Sequence, residues 1–205
     1  IVTLLRLDLG LTVRILRVSN SAYYNRGNKC QTLEEAVHRL GYNHIYEIVA
    51  YAVASQVLDR PVHTYGLEVN DLWQRSVACA LAAKELSAKC GADSDEAYTI
   101  GLLHSVGLIA IDNWVIKNKP GTLFIDRSFP DEWSKDEMTH LGLAQEEVGS
   151  ALLTQWDFPK SITIPVRWQR NPRGSAAYQK LSNILVLARW GRTMISGQRD
   201  PTPPS

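Results

Sequence analysis

An all-α fold is the architecture this sequence predicts, and three observations carry the prediction. Apolar residues recur at three- and four-residue spacing through most of the chain, the period of a helix with one buried face. Capping residues and glycine or proline stops divide these stretches at helix-length intervals. No segment shows the apolar–polar alternation of a half-buried strand, so strand content is expected near zero. The chain has 205 residues, 45% hydrophobic and 21% charged, which is ordinary for a globular protein and ample for a real core.

Residues 3–18 place Leu4, Leu7, Leu11, Ile15, Leu16 and Val18 on one helical face, with Gly10 as the weak point. The stretch Ser19 to Lys29, rich in Ser, Asn and Gly, reads as a loop. Thr32 and Glu35 form a capping-box pattern that opens a helix through Ala36, Val37 and Leu40. Gly41 is expected to stop it, and a longer helix to follow from about Asn43 to Leu58. Pro61 to Gly66 then reads as a boundary between two lobes. A helix capped by Asn70 or Asp71 runs to Lys89 and ends at Gly91; its small face (Ser76, Cys79, Ala80, Ala83) lets another helix approach closely. Asp93 or Ser94 caps the next, with Ile100, Leu103, His104, Gly107, Leu108 and Ile111 on one side. After an irregular stretch from Lys117 to Pro130, helices are expected at Glu132–His140, Leu143–Trp156, Lys160–Arg170 and Ala176–Ser196. The organisation predicted is an N-terminal helical lobe (1–60), a second helical lobe (61–200) and a disordered tail (201–205).

Composition excludes several classes. The formal net charge of +1 demands neither nucleic acid nor a membrane surface as partner. The apolar runs are broken by Arg14, Arg17, Glu47, Lys84, Glu85 and Asp112, so no membrane helix is expected. Nothing at the N-terminus resembles a secretory signal, and a start at Ile1 reads as a piece of a longer protein. Cys30, Cys79 and Cys90 are odd in number and lack CxxC spacing, which fits free thiols in a reducing, cytoplasmic compartment. There is no GxGxxG, Walker or GxSxG sequence, and His38, His44, His63 and His140 lack HExxH spacing. Ser105 beside His104 is no dyad, because adjacent helical residues diverge by about 100°.

Four blocks in order resemble the HD-related output domain (HDOD) family. The run Leu11–Gly41 carries Asn20-Ser21-Ala22-Tyr23 and closes on Leu40-Gly41; DLWQRSVACALAAKEL resembles the family's Trp-containing helix. DEAYTIGLLHSVGLIAI resembles its Gly-Leu-Leu-His helix, and EEVGSALLTQWDFPKSI its Glu-Val-Gly…Trp…Pro segment. The resemblance implies a multi-helix, HD-like bundle. It also implies where a metal would sit in the hydrolytic relatives: a His on the Trp helix, a His-Asp pair, and an Asp on the last long helix. Mapped by motif, these positions hold Arg75, His104-Ser105 and Arg189; two further positions where relatives carry His are Gln145 and the Trp168-Gln169-Arg170 stretch. One imidazole cannot hold a catalytic divalent ion, which takes about three protein ligands, and two guanidiniums repel a cation. No metal, no cofactor and no catalytic residue is therefore expected.

The reading is a non-enzymatic bacterial output or scaffold domain that binds a signalling protein or a fused sensor or receiver domain, relaying conformational change between its lobes across Pro61–Gly66. Arg75 and Arg189 are expected to pair with carboxylates such as Asp71, Glu146 or Glu147 as structural cement. The alternatives are a receptor for a cyclic dinucleotide or other phosphate in the vacated cleft (Arg75, His104, Ser105, Gln145, Glu146, Gln169, Arg189) and a residual metal-dependent phosphohydrolase. From Ser161 onward the chain carries Arg167, Arg170, Arg173, Lys180, Arg189, Arg192 and Arg199 against the single acid Asp200, interleaved with Trp168, Tyr178 and Trp190. A solvated face or a docking face for an acidic partner is favoured there over nucleic acid.

Overall fold

In a computed structural model the described residues are Leu5, 9–21, 23–24, 27–58, 60–125 and 133–195. All regular structure among them is helical: α1 (Leu9–Ser19), α2 (Leu33–Leu58), α3 (Asp71–Cys90), α4 (Ser94–Leu103), α5 (Val106–Asn118), α6 (Ser134–Leu141), α7 (Gln145–Gln155), α8 (Lys160–Arg167) and α9 (Gln179–Ile195), with 3₁₀ turns at His63–Tyr65 and Pro172–Tyr178. The all-α prediction holds. A single antiparallel bridge joins Val62 to Leu67. The predicted 201–205 tail lies outside the described residues.

The chain divides into two compact units, Ile1–Val57 and Leu58–Ser205. In the first, Ile15, Cys30, Leu33, Ala36, Val37, Leu40 and Ile45 form a small core. Asn20 closes the loop between α1 and α2, its side chain donating to Cys30 O (3.0 Å) and accepting from Cys30 N (2.7 Å). Thr32 accepts from Glu35 N at 3.2 Å, and the Glu35 carboxylate accepts from Gln31 N at 2.8 Å, one residue before the position the capping box predicts. Gly41 breaks α2 with φ 75 and ψ 167, a conformation that residues with a Cβ rarely adopt.

The second unit has its own core, which includes Cys79, Ala83, Ile100, Leu153, Val166 and Leu185. The small face of α3 does admit a close neighbour: a Cβ on Gly101 of α4 would stand 2.6 Å from Ala80 Cα. Asp93 caps α4, accepting from Asp95 N and Glu96 N. Pro61 to Gly66, read from the sequence as a boundary between lobes, folds against α5 within the second unit. Buried Asp112 accepts from Thr64 N (2.8 Å) and pairs with Arg60 (2.8 Å), whose other amine donates to Asn113 (2.9 Å).

A second departure lies between α4 and α5. The apolar periodicity predicts one continuous helix, but Ser105 leaves the helical region at φ −109 and ψ 9. The ring of His104 takes the Gly101 carbonyl at 2.7 Å, and Ser105 bonds Ser76 of α3 at 2.9 Å. One local bond and one tertiary bond thus hold the break that the local period does not show. The stretch Ser94–Asn118 is long and apolar enough by composition to cross a membrane, yet 72% of its most apolar window is buried in the fold.

Candidate functional site

The positions singled out in the sequence fall into two adjoining polar networks, joined through consecutive Gln169 and Arg170. In the first, the fully buried Gln169 side chain donates to His104 O and Val166 O, both at 2.9 Å, satisfying carbonyls at the ends of α4 and α8. Arg189 of α9, 2% exposed, donates to Gln169 O at 3.1 Å. Ser105 and Ser76 bond each other between the α4–α5 turn and α3. The carbonyl of Gly101 can only accept, so His104 carries its proton on Nδ1.

The second network surrounds Glu137, a residue that no sequence motif singles out. Its fully buried carboxylate accepts from Tyr65 OH (3.1 Å) and from Gln145 N (2.9 Å), so α6 caps the start of α7. Arg170 lies 3.6 Å from Glu137 and 3.1 Å from Glu146, one guanidinium shared by two carboxylates. The Glu146 contact lacks hydrogen-bond alignment and is a charge pair only. Burial drives the Glu137 carboxyl up from its ordinary 4.5 to about 7, against the lowering effect of the Gln145 amide and Arg170. Burial, and then Glu137 itself, hold the Tyr65 phenol far above its usual range, so it stays a donor.

Arg75 lies over the ring of Trp133, 5.5 Å from its centroid. Trp133 is 2% exposed, sits at φ 55 and packs edge-on against Tyr65 (5.2 Å). A bulky residue held in the left-handed region is strained, and such strain persists only where neighbours over-determine it. The indole nitrogen of Trp133 and Oε1 of Gln145 are buried without hydrogen-bond partners. Glu146 lies beside Arg170 (3.1 Å), Glu147 pairs with Arg167 (3.2 Å), and Asp71 accepts from Glu68 N (2.9 Å).

Residues 1–172 match the HDOD domain. The chain belongs to the HDOD family. This HDOD chain is 25% identical to an uncharacterized protein of Treponema pallidum, a match covering 97% of the chain but only 38% of that longer protein. It is similar to a candidate phosphohydrolase from Shewanella amazonensis (TM-score 0.69, 26% identity, 96% of this chain and 69% of that one). It also shares its fold with a candidate signal transduction protein from Marinobacter aquaeolei (TM-score 0.69, 21% identity, all of this chain and 46% of that one).

The metal of the hydrolytic HD relatives does not fit the donors of this HDOD domain. The positions that the motif resemblance assigns to ligands offer one imidazole, one hydroxyl already bonded to Ser76, and two guanidiniums. Among the described residues no three His, Cys, Asp or Glu side chains converge. Borderline and hard divalent ions need neutral imidazoles or carboxylates in such numbers.

Proposed function

We propose that this HDOD domain is a non-catalytic pseudoenzyme of bacterial signal transduction, an output or scaffold module that binds a protein partner in the cytoplasm. The observation that supports the reading is Arg189: a cation, 2% exposed and bonded into the chain at Gln169 O, at or near the position that the motif resemblance assigns to a carboxylate ligand. The neighbouring ligand positions have likewise become helix-to-helix ties, Ser105 to Ser76 and Gln169 to His104 O. The signal-transduction context is supported by the family and by the shared fold; the length of the Treponema relative leaves room for a fused sensor or receiver domain.

The decisive measurement is elemental analysis of protein purified after exposure to Fe, Mn and Mg, paired with an assay on a generic phosphodiester. The expected outcome is substoichiometric metal and no hydrolysis above buffer; about one equivalent of retained metal, or metal-dependent turnover, would overturn the reading. A phosphate-receptor role is less well supported, since an anion would have to reach the buried Arg189. Calorimetric titration with a cyclic dinucleotide is expected to give no heat.

A further inference from the structure

We propose that the groove between α5, the α6–α7 corner and α7 is the docking site of that partner, and that the docked element is an amphipathic helix with acidic flanks. The proposal rests on the partner-binding reading and names its surface. The groove has a volume of about 260 Å³ and is lined by Ala110, Ile111, Trp114, Leu141, Leu143 and Val148, all apolar. Trp114 is 48% and Leu143 37% exposed, so the cleft presents large side chains to solvent instead of enclosing them. Drug-sized ligands occupy sites of about 300–1,000 Å³ that bury most of their surface. A smaller, open, apolar cleft between two helices suits a third helix laid into it.

Its walls are preformed. Glu137 on the inner side of α6 bonds the first amide of α7 and fixes the corner that carries Leu141 and Leu143. At the other end α5 and α7 touch through glycines, a Cβ on Gly149 reaching 3.2 Å from Gly107 N. A rigid groove spares a helical ligand part of the ordering cost of association.

Charge selects the occupant. Exposed Lys117 and Lys119 stand one to two turns beyond Trp114 on α5, with His140 at the end of α6. Lys119 lies 5.9 Å from the centre of the Trp114 ring and donates to His140 O at 2.6 Å, which tethers a positive charge at the mouth. The nearest acid on α7, Glu147, is paired with Arg167, and Asp112 of α5 is buried with Arg60. The exposed charges beside Trp114 at the end of α5 are thus both basic. The apolar lining runs along α5 through Ala110, Ile111 and Trp114 and ends at Lys117, so the ligand helix needs an apolar stripe at i, i+4 and i+7 with Asp or Glu at the end that meets Lys117 and Lys119.

The test is a phage-displayed library of 16-residue peptides panned on the wild-type protein and on Leu143→Asp. The expected enrichment is for apolar i, i+4, i+7 spacing flanked by acids, lost on Leu143→Asp. The winning peptide, measured by fluorescence anisotropy, is expected to bind at least tenfold more weakly to Lys117→Glu, whose side chain is exposed and off the network. Circular dichroism controls for folding of both variants. Failure to enrich, basic winners, or winners indifferent to Leu143→Asp would overturn the groove, as would concentration-dependent dimerisation that Leu143→Asp abolishes, which would assign the face to a second copy. None of these outcomes touches the metal and hydrolysis measurements, so the docking site and the non-catalytic reading fail separately.

Discussion

Glu137 is a carboxylate wholly removed from water, and its protonation is coupled to the stability of the fold. Its folded pKa of about 7 stands above its ordinary 4.5, so the folded state holds the proton more tightly than the unfolded state does. Below about pH 4.5 both states are protonated and the contribution is fully present. Between 4.5 and 7 the unfolded chain ionises while the folded one resists, and stability falls as pH rises, by about 3 kcal/mol in all. Above 7 both are ionised and the curve levels. Glu137→Gln is expected to flatten this window in urea denaturation at pH 5, 6, 7 and 8; an unchanged slope would show that Arg170 keeps the carboxylate ionised throughout. The sequence offered no route to Glu137, since it lies on a short, mostly polar helix where carboxylates are commonplace. Asp112 stood out in the sequence only as an acid that breaks an apolar run; its burial and its pairing with Arg60, 52 residues away, follow from the fold.

At the scale of elements, helix order and breaks follow from local signals, whereas the contacts between helices do not. The stops at Gly41 and Gly91, the Asp93 cap and the small face of α3 were readable because each is a property of a few consecutive residues. The split between α4 and α5 was not, because its cause, Ser76, lies 29 residues away. Ser105 and Gln169 could be picked out one by one in the sequence, but the bonds that tie them to Ser76 and His104 O join residues far apart in the chain and follow only from the fold. The tightest of the helix contacts is the crossing of α5 and α7, where a Cβ on Gly107 would fall 1.9 Å from the Gln145 carbonyl oxygen, a backbone atom with little freedom to move. Overpacking of this kind costs about 1–3 kcal/mol or more. Gly107→Ala is therefore expected to lower Tm by roughly 5–10 °C at about 2–4 °C per kcal/mol. Gly191→Ala is the matched control: it lies within α9 with nothing inside 4 Å of its Cβ, so removal of a helix-interior glycine is expected to leave Tm level or slightly raised. A Gly107→Ala melt matching the control would mean that the two helices slide apart at no cost.

For the molecule as a whole, the two cores make the units unequal. The Leu58–Ser205 unit holds α3 to α9, both polar networks and the groove, and its core draws on six of those helices. The Ile1–Val57 unit falls at the size where a lone chain buries only about 60% of its unfolded surface, and its buried cluster rests on α1, α2 and the loop between them. A fragment of residues 58–205 is therefore expected to fold alone, with helical circular dichroism, a single cooperative thermal transition and undiminished binding of the groove peptide. A fragment of residues 1–57 is expected to melt without cooperativity. A unit that is marginal by itself is expected to open at lower free energy than the larger one. Hydrogen exchange on the intact chain separates the possibilities. Amides of α1 and α2 are expected to exchange through a local opening well before those of α3 and α9, whereas identical opening free energies for both sets would mean that the chain unfolds as one cooperative body.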